Sequence, residues 1–494
     1  MVTSPSSQLT STSAKLFWAA MRLVFEVLLV LMALVVAAET TQANAVQAPA
    51  TVRLIVMVIV SITAVVVASQ SLMGIRMADS LRSIRTFIAV ALIATALGRP
   101  MGIFPAVLLA GIAMVVASRV ALFERSLGKA TASAVRAAFL LSVYGLIVCL
   151  AGSARDMAGM GAVWTMMWLA VAHPVFRRLS RAVLDSLGLD EGRPRGLLIL
   201  VVWSIAVIGV WLTVIAKTMS GSAVPSVQLG SFSVQPFLAS TWAAVLAVAL
   251  TYSRREHLGR LDWALAAMTG IGFIVLRELG TLVITLLALI TYTLITRGAR
   301  CRDVLILGSC AAIGLLVLWL VAVGALPDRG LEHVSGRIAH LTGSRSHPEL
   351  DRVELAFAGA GVLGNASWTP MWGISEAGTR DYSFAILAQS HGWLGLAIVL
   401  ALYSQYLVGL GAACTAATGD ARRLVALGFL VLSVVTFFVP LLIFSKLMVV
   451  TGVPMPLIAR SGTALALAIV SVGLMAVLAS EGSRQREECY VEPA

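Results

Sequence analysis

The chain has 494 residues, of which 59% are hydrophobic and 12% charged, and its mean hydropathy is +0.94. A water-soluble domain could not bury that much apolar surface, whereas runs of about 20 apolar residues cross a bilayer as helices. The formal charge is +12, but the arginines lie in short gaps between apolar runs, a pattern that orients membrane proteins and attracts anionic membrane lipids rather than nucleic acid.

Apolar segments follow one another along almost the whole chain. Residues 1–15 begin Ser/Thr-rich and lead into the first segment without a clear small-residue cleavage site, so we expect an uncleaved first helix. The pattern predicts an all-α, polytopic membrane helix bundle of about 14 transmembrane helices. The segments lie near residues 16–38, 52–72, 84–98, 101–121, 136–152, 160–176, 196–217, 236–252, 262–277, 280–296, 304–325, 384–411, 423–446 and 462–480.

Positive charge alternates between successive gaps. If the N-terminus is cytoplasmic, the inner gaps hold two to five arginines and lysines each, while the short outer gaps hold mostly single ones, such as Arg99, Arg155 and Lys217. This alternation predicts that both termini are cytoplasmic. It also places residues 326–383 outside, as one large extracytoplasmic loop.

The outer loop 326–383 is the only long hydrophilic stretch between the segments, and loops of that length are usually functional or disordered. Val334, Ile338 and Leu341 have helical spacing, which predicts a short amphipathic helix in a structured cap. The loop histidines recur every seventh residue without a carboxylate, a spacing too wide for adjacent ligands, so no metal site is predicted there.

Four stretches, in order, resemble motifs of the SEDS family (the RodA, FtsW and SpoVE group). The first motif, 229–236 (LGSFSVQP), resembles "lG.fsiQPSE", and the second, 277–281 (RELGT), stands at the place of "QPDLGT". The third, 374–385 (ISEAGTRDYSFA), resembles "lPEahTDFIFA", and the fourth, 451–458 (TGVPMPLI), resembles "TGVPLPFiSyGGS".

The resemblance covers roughly residues 136–482, which implies the ten-helix membrane domain usual in that family. Residues 16–135 would then be additional N-terminal transmembrane helices, and residues 483–494 a cytoplasmic tail. The sequence also departs from the family pattern. Phe237, Leu238 and Thr241 replace the Ser-Glu and Lys of "QPSExxK", and Glu278 replaces an aspartate. Altered chemistry or lost activity therefore stays open.

The resemblance implies a peptidoglycan glycosyltransferase that polymerises lipid II at the outer face of a bacterial cytoplasmic membrane, with a class B penicillin-binding protein as its transpeptidase partner. In that reaction a sugar hydroxyl attacks the anomeric carbon of a donor linked to polyprenyl pyrophosphate. The hydroxyl needs a general base. The leaving pyrophosphate needs positive charge from Arg, Lys or a divalent cation such as Mg²⁺ or Mn²⁺.

Asp381 matches the essential aspartate of the family, and the resemblance implies that it is the base. An Asp at the start of a helix is also a good N-cap, and both roles can hold together. Seven further residues are candidates for substrate binding, because they are charged side chains near the outer ends of helices or belong to a motif. They are Arg380, Glu376, Lys446, Arg460, Arg277, Glu278 and Gln235.

Structural roles compete with several of these assignments. Arg380 and Glu376 could be solvated loop residues, and Lys446 and Arg460 could extend toward the membrane surface. Arg277 and Glu278 are first interpreted as a structural pair that joins two half-length helices, with a role in a substrate cavity second.

Two other functions stay open. A flippase or other transporter of lipid-linked precursors would also contain charges within helices and a broken segment such as 262–296, although no internal repeat is evident. A catalytically weak scaffold of the cell-wall or division machinery would explain the missing family residues and the four extra helices.

Overall fold

Apolar helices form most of the chain that the computed structural model describes. The described residues are 116–117, 119–124, 127–149, 154–186, 196–220, 227–229, 232–255, 257–276, 278–296, 302–310, 312, 348–362, 383–417, 419–444, 454–459 and 461–491. The first three predicted helices lie outside them, so the count of about 14 helices and the cytoplasmic N-terminus stay predictions. The predicted class, a helical membrane bundle, is confirmed.

Most of the described helices coincide with the predicted apolar segments from residue 136 onward. Residues 119–124 and 302–310 are helical as well. The elements are α1 (Lys129–Cys149), α2 (Ala154–Ala172), α3 (Pro174–Ser186), α4 (Gly196–Ser220), β1 (Val227–Leu229), β2 (Phe232–Val234), α5 (Pro236–Arg254), α6 (Arg260–Leu276), α7 (Leu279–Ile295), α8 (Pro348–Ala358), α9 (Ser383–Ala416), α10 (Asp420–Phe444) and α11 (Gly462–Val491).

Within the described residues, five helices are long and apolar enough to cross a membrane. Their spans are Gly196–Met219, Pro236–Arg254, Gly395–Ala416, Asp420–Ile443 and Gly462–Ser480. Three shorter apolar helices accompany them, at Thr131–Leu146, Met160–Ala172 and Gly280–Ile295. The chain is therefore a multi-pass membrane protein.

The predicted single segment 384–411 is divided in the structure. Gly392 has φ 63° and ψ −168°, which interrupts α9 after its first two turns, and the apolar span begins only at Gly395. Glycine adopts such a positive φ without the steric cost that a Cβ brings. The third motif therefore leads into a short helical piece rather than directly into a transmembrane helix.

The described residues divide into two compact units. One contains residues 116–117, 119–121, 356–362 and 387–401. In it, the Trp393 N–H donates to the Gly361 carbonyl at 3.1 Å, and the Phe357 and Trp393 rings are 6.0 Å apart. These contacts pack the end of α8 against the part of α9 that follows Gly392.

The second unit contains the described residues of 122–355, 383–386 and 402–491. Its central helix is α5, which packs against α4, α7 and α10. In the apolar span of α5, 72% of the residues are buried, whereas in the apolar span of α4 only 33% are buried. The alanines of α5 allow neighbouring backbones to approach closely, whereas Leu197, Ile208 and Met219 of α4 are exposed, as expected for a helix that faces lipid.

Four described elements were not predicted, two helices and the two strands of a hairpin. The helix α3 falls in a gap that the charge pattern treated as polar, and α8 lies in the outer loop, C-terminal to the predicted helix at 334–341, which is outside the described residues. The strands β1 and β2 form an antiparallel hairpin in which Val227 pairs with Val234 and Leu229 with Phe232. A two-residue Gly-Ser connection suits such a hairpin.

Candidate functional site

Two of the eight predicted site residues, Gln235 and Glu278, lie among the described residues. The roles of the other six stay predictions, because their positions lie outside that part of the chain. These six are Asp381, Arg380, Glu376, Lys446, Arg460 and Arg277.

Gln235 joins the first motif to the residues that follow the fourth. It precedes α5, and Pro236 occupies the first turn of that helix, where a missing N–H costs nothing. The Gln235 backbone N–H donates to Thr463 Oγ1 at 3.0 Å, and Gln235 Oε1 accepts a hydrogen bond from Ser461 Oγ at 3.1 Å. These bonds hold the N-terminal ends of α5 and α11 together.

The fourth motif ends in a buried turn between α10 and α11. Leu457 has a φ of 68°, and this left-handed conformation costs a residue with a Cβ about 1–2 kcal/mol. Neighbouring helices hold the turn in place. The Tyr403 hydroxyl donates to the Pro456 carbonyl, and a Cβ on Gly145 of α1 would lie 2.5 Å from the Leu457 carbonyl oxygen. Only a glycine at 145 permits this approach.

The second motif lies at a break between two helices, as predicted. The α6 helix ends at Leu276, and Lys217 Nζ donates to the Leu276 carbonyl at 2.8 Å, a favourable place for a cation. Glu278 is half-buried and precedes α7, but its side chain makes no capping hydrogen bond to that helix. The break is confirmed, while the proposed pairing of Glu278 with Arg277 stays a prediction.

A small cavity lies where the second and fourth motifs meet the start of α5, the helix that follows the first motif. We call it the threonine cavity, and its volume is about 30 Å³. It is bounded by the first two turns of α5, α7 and α11, by the C-terminal half of α10 and by the fourth-motif turn, all at ends that the charge pattern places outside. Its lining residues are Leu238, Thr241, Trp242, Thr281, Ile284, Thr436, Pro454, Pro456, Ala464 and Leu467.

The hydroxyl protons of two cavity-lining threonines, Thr241 and Thr436, are already donated in hydrogen bonds. Thr285 Oγ1 donates its proton to the Thr281 carbonyl at 2.7 Å. Thr285 Oγ1 also lies 3.0 Å from Thr241 Oγ1, and because the Thr285 proton is already donated, Thr241 must be the donor in this second hydrogen bond. Thr436 Oγ1 donates to the Leu432 carbonyl at 2.7 Å. Both hydroxyl oxygens can still accept, because each hydroxyl has two lone pairs and only one proton.

The threonine cavity is uncharged. None of its lining residues is ionisable, and two of them, Leu238 and Thr241, stand where the family motif has Glu and Lys. Two of the departures seen in the sequence therefore fall on one cavity and remove both signs of charge from it together. This leaves a neutral site built on hydroxyl groups.

Sequence reasoning missed two buried aspartates at the opposite end of the same helices. Asp262 accepts hydrogen bonds from Trp203 Nε1 at 3.0 Å and from the Gly259 N–H at 2.8 Å. Asp303 accepts from the Tyr252 hydroxyl at 3.2 Å and from the Leu258 N–H at 3.1 Å. Both fix the loop between α5 and α6, a structural role that no motif indicated.

Comparison with known proteins gives partial matches. The peptidoglycan glycosyltransferase MrdB of Escherichia coli (strain K12) is 35% identical over 96 residues, which are 19% of this chain and 26% of that protein. MrdB of Shigella flexneri matches to the same extent. The chain thus matches about a quarter of the length of these curated relatives.

Solved structures also resemble the chain. One of them is a chain of a peptidoglycan synthase complex that coordinates polymerization and crosslinking. The two chains are 20% identical with a TM-score of 0.48, and the match covers 75% of this chain and 97% of the other. The rod shape determining protein RodA of Thermus thermophilus is 18% identical with a TM-score of 0.38, covering 75% and 96%.

A family model matches residues 131–484, well over half of the chain. Its description is cell cycle protein, and its members are the FtsW, RodA and SpoVE proteins. The match includes all four motifs and every helix from α2 to α10. The chain therefore belongs to the FtsW/RodA/SpoVE family of cell cycle proteins, the SEDS family.

Proposed function

We propose that the chain is a peptidoglycan glycosyltransferase that polymerises lipid II on the outer face of the cytoplasmic membrane. The observation that carries the proposal is that the second and fourth motifs meet the helix that follows the first motif at one cavity, at the helix ends that are predicted to be outside. Membership of the family and the partial similarity to MrdB support it. The glycan would lie above these helix ends while the polyprenyl chain stays in the bilayer.

In the proposed reaction, an acceptor sugar hydroxyl attacks the anomeric carbon of the donor. The new bond joins the acceptor oxygen to that carbon, the carbon–phosphate oxygen bond breaks, and the pyrophosphate leaves with the electron pair. Asp381 takes the hydroxyl proton. The developing negative charge is stabilised by cationic side chains, for which Lys446, Arg460 and Arg277 are the candidates.

A divalent cation, Mg²⁺ or Mn²⁺, is an alternative source of positive charge. In the described part of the chain, no group of three or more His, Cys, Asp or Glu side chains could hold a resident ion. The proposal assigns the neutralisation to basic side chains, with a cation bound to the pyrophosphate of the substrate as a further source of positive charge. A class B penicillin-binding protein is the proposed partner, because family membership implies it.

The decisive change is Asp381→Ala. We expect the purified full-length variant to lose at least about a hundredfold in polymerisation of lipid II, because general-base catalysis contributes about 10²–10⁴-fold. The measurement is glycan-strand formation in proteoliposomes. Asp351→Asn, a carboxylate change in α8 of the same loop and outside the motifs, is the matched control and should keep full activity. Full activity of Asp381→Ala at normal expression would disprove the assignment.

Transport of lipid-linked precursors is the second candidate, and the helix break at the second motif favours it, because transporters use broken helices at their binding sites. Scrambling of fluorescent lipid II in vesicles without polymer formation would select this function.

A scaffold role is favoured by the uncharged cavity. It predicts no polymerisation by the wild type and capture of the same partner by wild type and Asp381→Ala.

A further inference from the structure

Thr281 carries a buried hydroxyl group without a hydrogen-bond partner. Its side chain is 2% exposed and lines the threonine cavity, and its Oγ1 has no partner among the described residues. A buried hydroxyl left in this state costs about 1–3 kcal/mol. Thr281 therefore offers an available hydrogen-bond donor at the point where the second and fourth motifs meet α5, and a ligand that enters the cavity can accept a hydrogen bond from it.

Three hydroxyl groups define the chemistry of this ligand. The Thr281 hydroxyl proton is available for a hydrogen bond. The hydroxyl protons of Thr241 and Thr436 are already donated, so these two groups can only accept. An alcohol fits this arrangement, because its oxygen can accept from Thr281 while its single proton is donated to Thr241 or Thr436. The arrangement does not match a phosphate, which is anionic and offers acceptors only, and which would be costly to bury without a counter-charge.

Size restricts the ligand further. One water needs about 10–15 Å³ of such space, so a volume of about 30 Å³ admits about two non-hydrogen atoms. A whole sugar ring does not fit, but a –CH₂OH arm does. The C6 hydroxymethyl group of a hexose is the group of this size and chemistry that a peptidoglycan precursor carries.

We propose that the threonine cavity binds the C6 hydroxymethyl group of a lipid II sugar, with Thr281 donating a hydrogen bond to its oxygen. This inference rests on the proposed function and adds a subsite to it. The sugar is positioned by a neutral pocket, and the pyrophosphate is bound elsewhere, by basic residues outside the cavity.

The test compares Thr281→Val with the wild type in lipid nanodiscs, measuring both thermal stability and the Kd for lipid II. Valine has the shape of threonine without the hydroxyl, so we expect the apo protein to keep or raise its Tm. The affinity for lipid II should fall about tenfold, the effect of one lost hydrogen bond. Thr281→Ser, which retains the hydroxyl, should bind nearly as the wild type does.

Two further probes distinguish the possible ligands. A lipid II analogue lacking the C6 hydroxyl groups should bind the wild type about tenfold more weakly than lipid II, and Thr281→Val should not discriminate between the two. Undecaprenyl pyrophosphate without sugars should bind both proteins equally. Because the analogue is tested on the wild type, the result does not depend on the folding of any variant.

Equal affinities of wild type and Thr281→Val for lipid II would overturn the inference and leave a cavity that holds only water. Weaker binding of undecaprenyl pyrophosphate by Thr281→Val would also overturn it, since the cavity would then bind the phosphate. Failure of the wild type to bind lipid II would instead remove the proposed function, and the inference with it.

Discussion

At the scale of single residues, Ser142 of α1 organises a buried aromatic cluster. Its hydroxyl accepts hydrogen bonds from Trp164 Nε1 at 2.8 Å and from Trp168 Nε1 at 3.0 Å, and it donates to the Phe139 carbonyl at 2.7 Å. The Phe139 ring lies 5.5 Å from the ring of each tryptophan. One small hydroxyl thus satisfies two indole N–H groups that α2 brings into the interior.

Ser142→Ala removes this shared acceptor. Both indole N–H groups are then buried without a partner, at about 1–3 kcal/mol each, so we expect a clearly lower Tm in detergent by thermal unfolding. The matched control is Ser471→Ala, a buried serine of α11 whose hydroxyl donates to the Leu467 carbonyl of its own helix. The same loss of Tm in both variants would contradict the proposed role of Ser142.

At the scale of elements, the turn after α10 depends on its contact with α1. Gly145 permits the Leu457 carbonyl to approach, and the same turn contributes Pro454 and Pro456 to the threonine cavity. Leu457 itself is buried and left-handed. A change on α1 is therefore expected to affect the cavity through the backbone of the turn.

Gly145→Ala tests this coupling. The added methyl group would lie 2.5 Å from the Leu457 carbonyl oxygen and 2.9 Å from Ile458 Cα, so the turn must shift, at a cost of about 1–3 kcal/mol. We expect a lower Tm and reduced lipid II polymerisation.

Gly411→Ala in α9 makes the same change where nothing lies within 4 Å of the new methyl group. It should stabilise the protein by up to about 1 kcal/mol through helix propensity. Unchanged stability and activity in Gly145→Ala would show that the turn does not need the close contact.

The elements differ in how well the sequence predicts them. Transmembrane helices are predictable because continuous apolar runs have few alternatives in a bilayer. The helix α3 was missed because its arginines resemble a polar gap, although the buried Ser180 and Leu184 and the exposed Val175, Leu179 and Val183 follow a helical period. The hairpin was missed because three-residue strands are too short to show alternation.

The candidate site was predictable only in part. The motifs indicated Gln235 and the break at Glu278. The structure shows the break and the hydrogen bonds of Gln235, while a binding role for either residue stays a prediction. The threonine cavity was not predicted, because Thr241, Thr281 and Thr436 are ordinary residues in sequence and become a site only when three helices meet. Such convergence depends on tertiary packing, which local patterns do not contain.

At the scale of the whole molecule, the described contacts agree with an alternating path through the membrane. The last turn of α4 meets the last turn of α6 through Lys217 and Leu276, while Gln235 at the start of α5 meets Thr463 at the start of α11. The loop between α5 and α6 lies at the opposite end. The charge pattern assigns the first set of ends to the outside and this loop to the cytoplasm.

Cysteine labelling tests this topology. In a variant without the native cysteines, Leu355→Cys in α8 should react with a membrane-impermeant maleimide on intact spheroplasts, because it is exposed and predicted outside. Arg255→Cys, between α5 and α6, should react only after permeabilisation. Labelling of both positions in intact spheroplasts, or the reverse pattern, would refute the predicted orientation.

The bond between Gln235 and Thr463 also determines when the site can form during synthesis. The two residues are 228 positions apart, and at about 5–20 residues per second the ribosome adds the second about 10–50 s after the first. Until α11 has entered the membrane, the first motif lacks the partners that hold it. A nascent chain therefore cannot complete the contact between the starts of α5 and α11 until residue 463 has been synthesised, and a chain that terminates before residue 463 lacks this contact altogether.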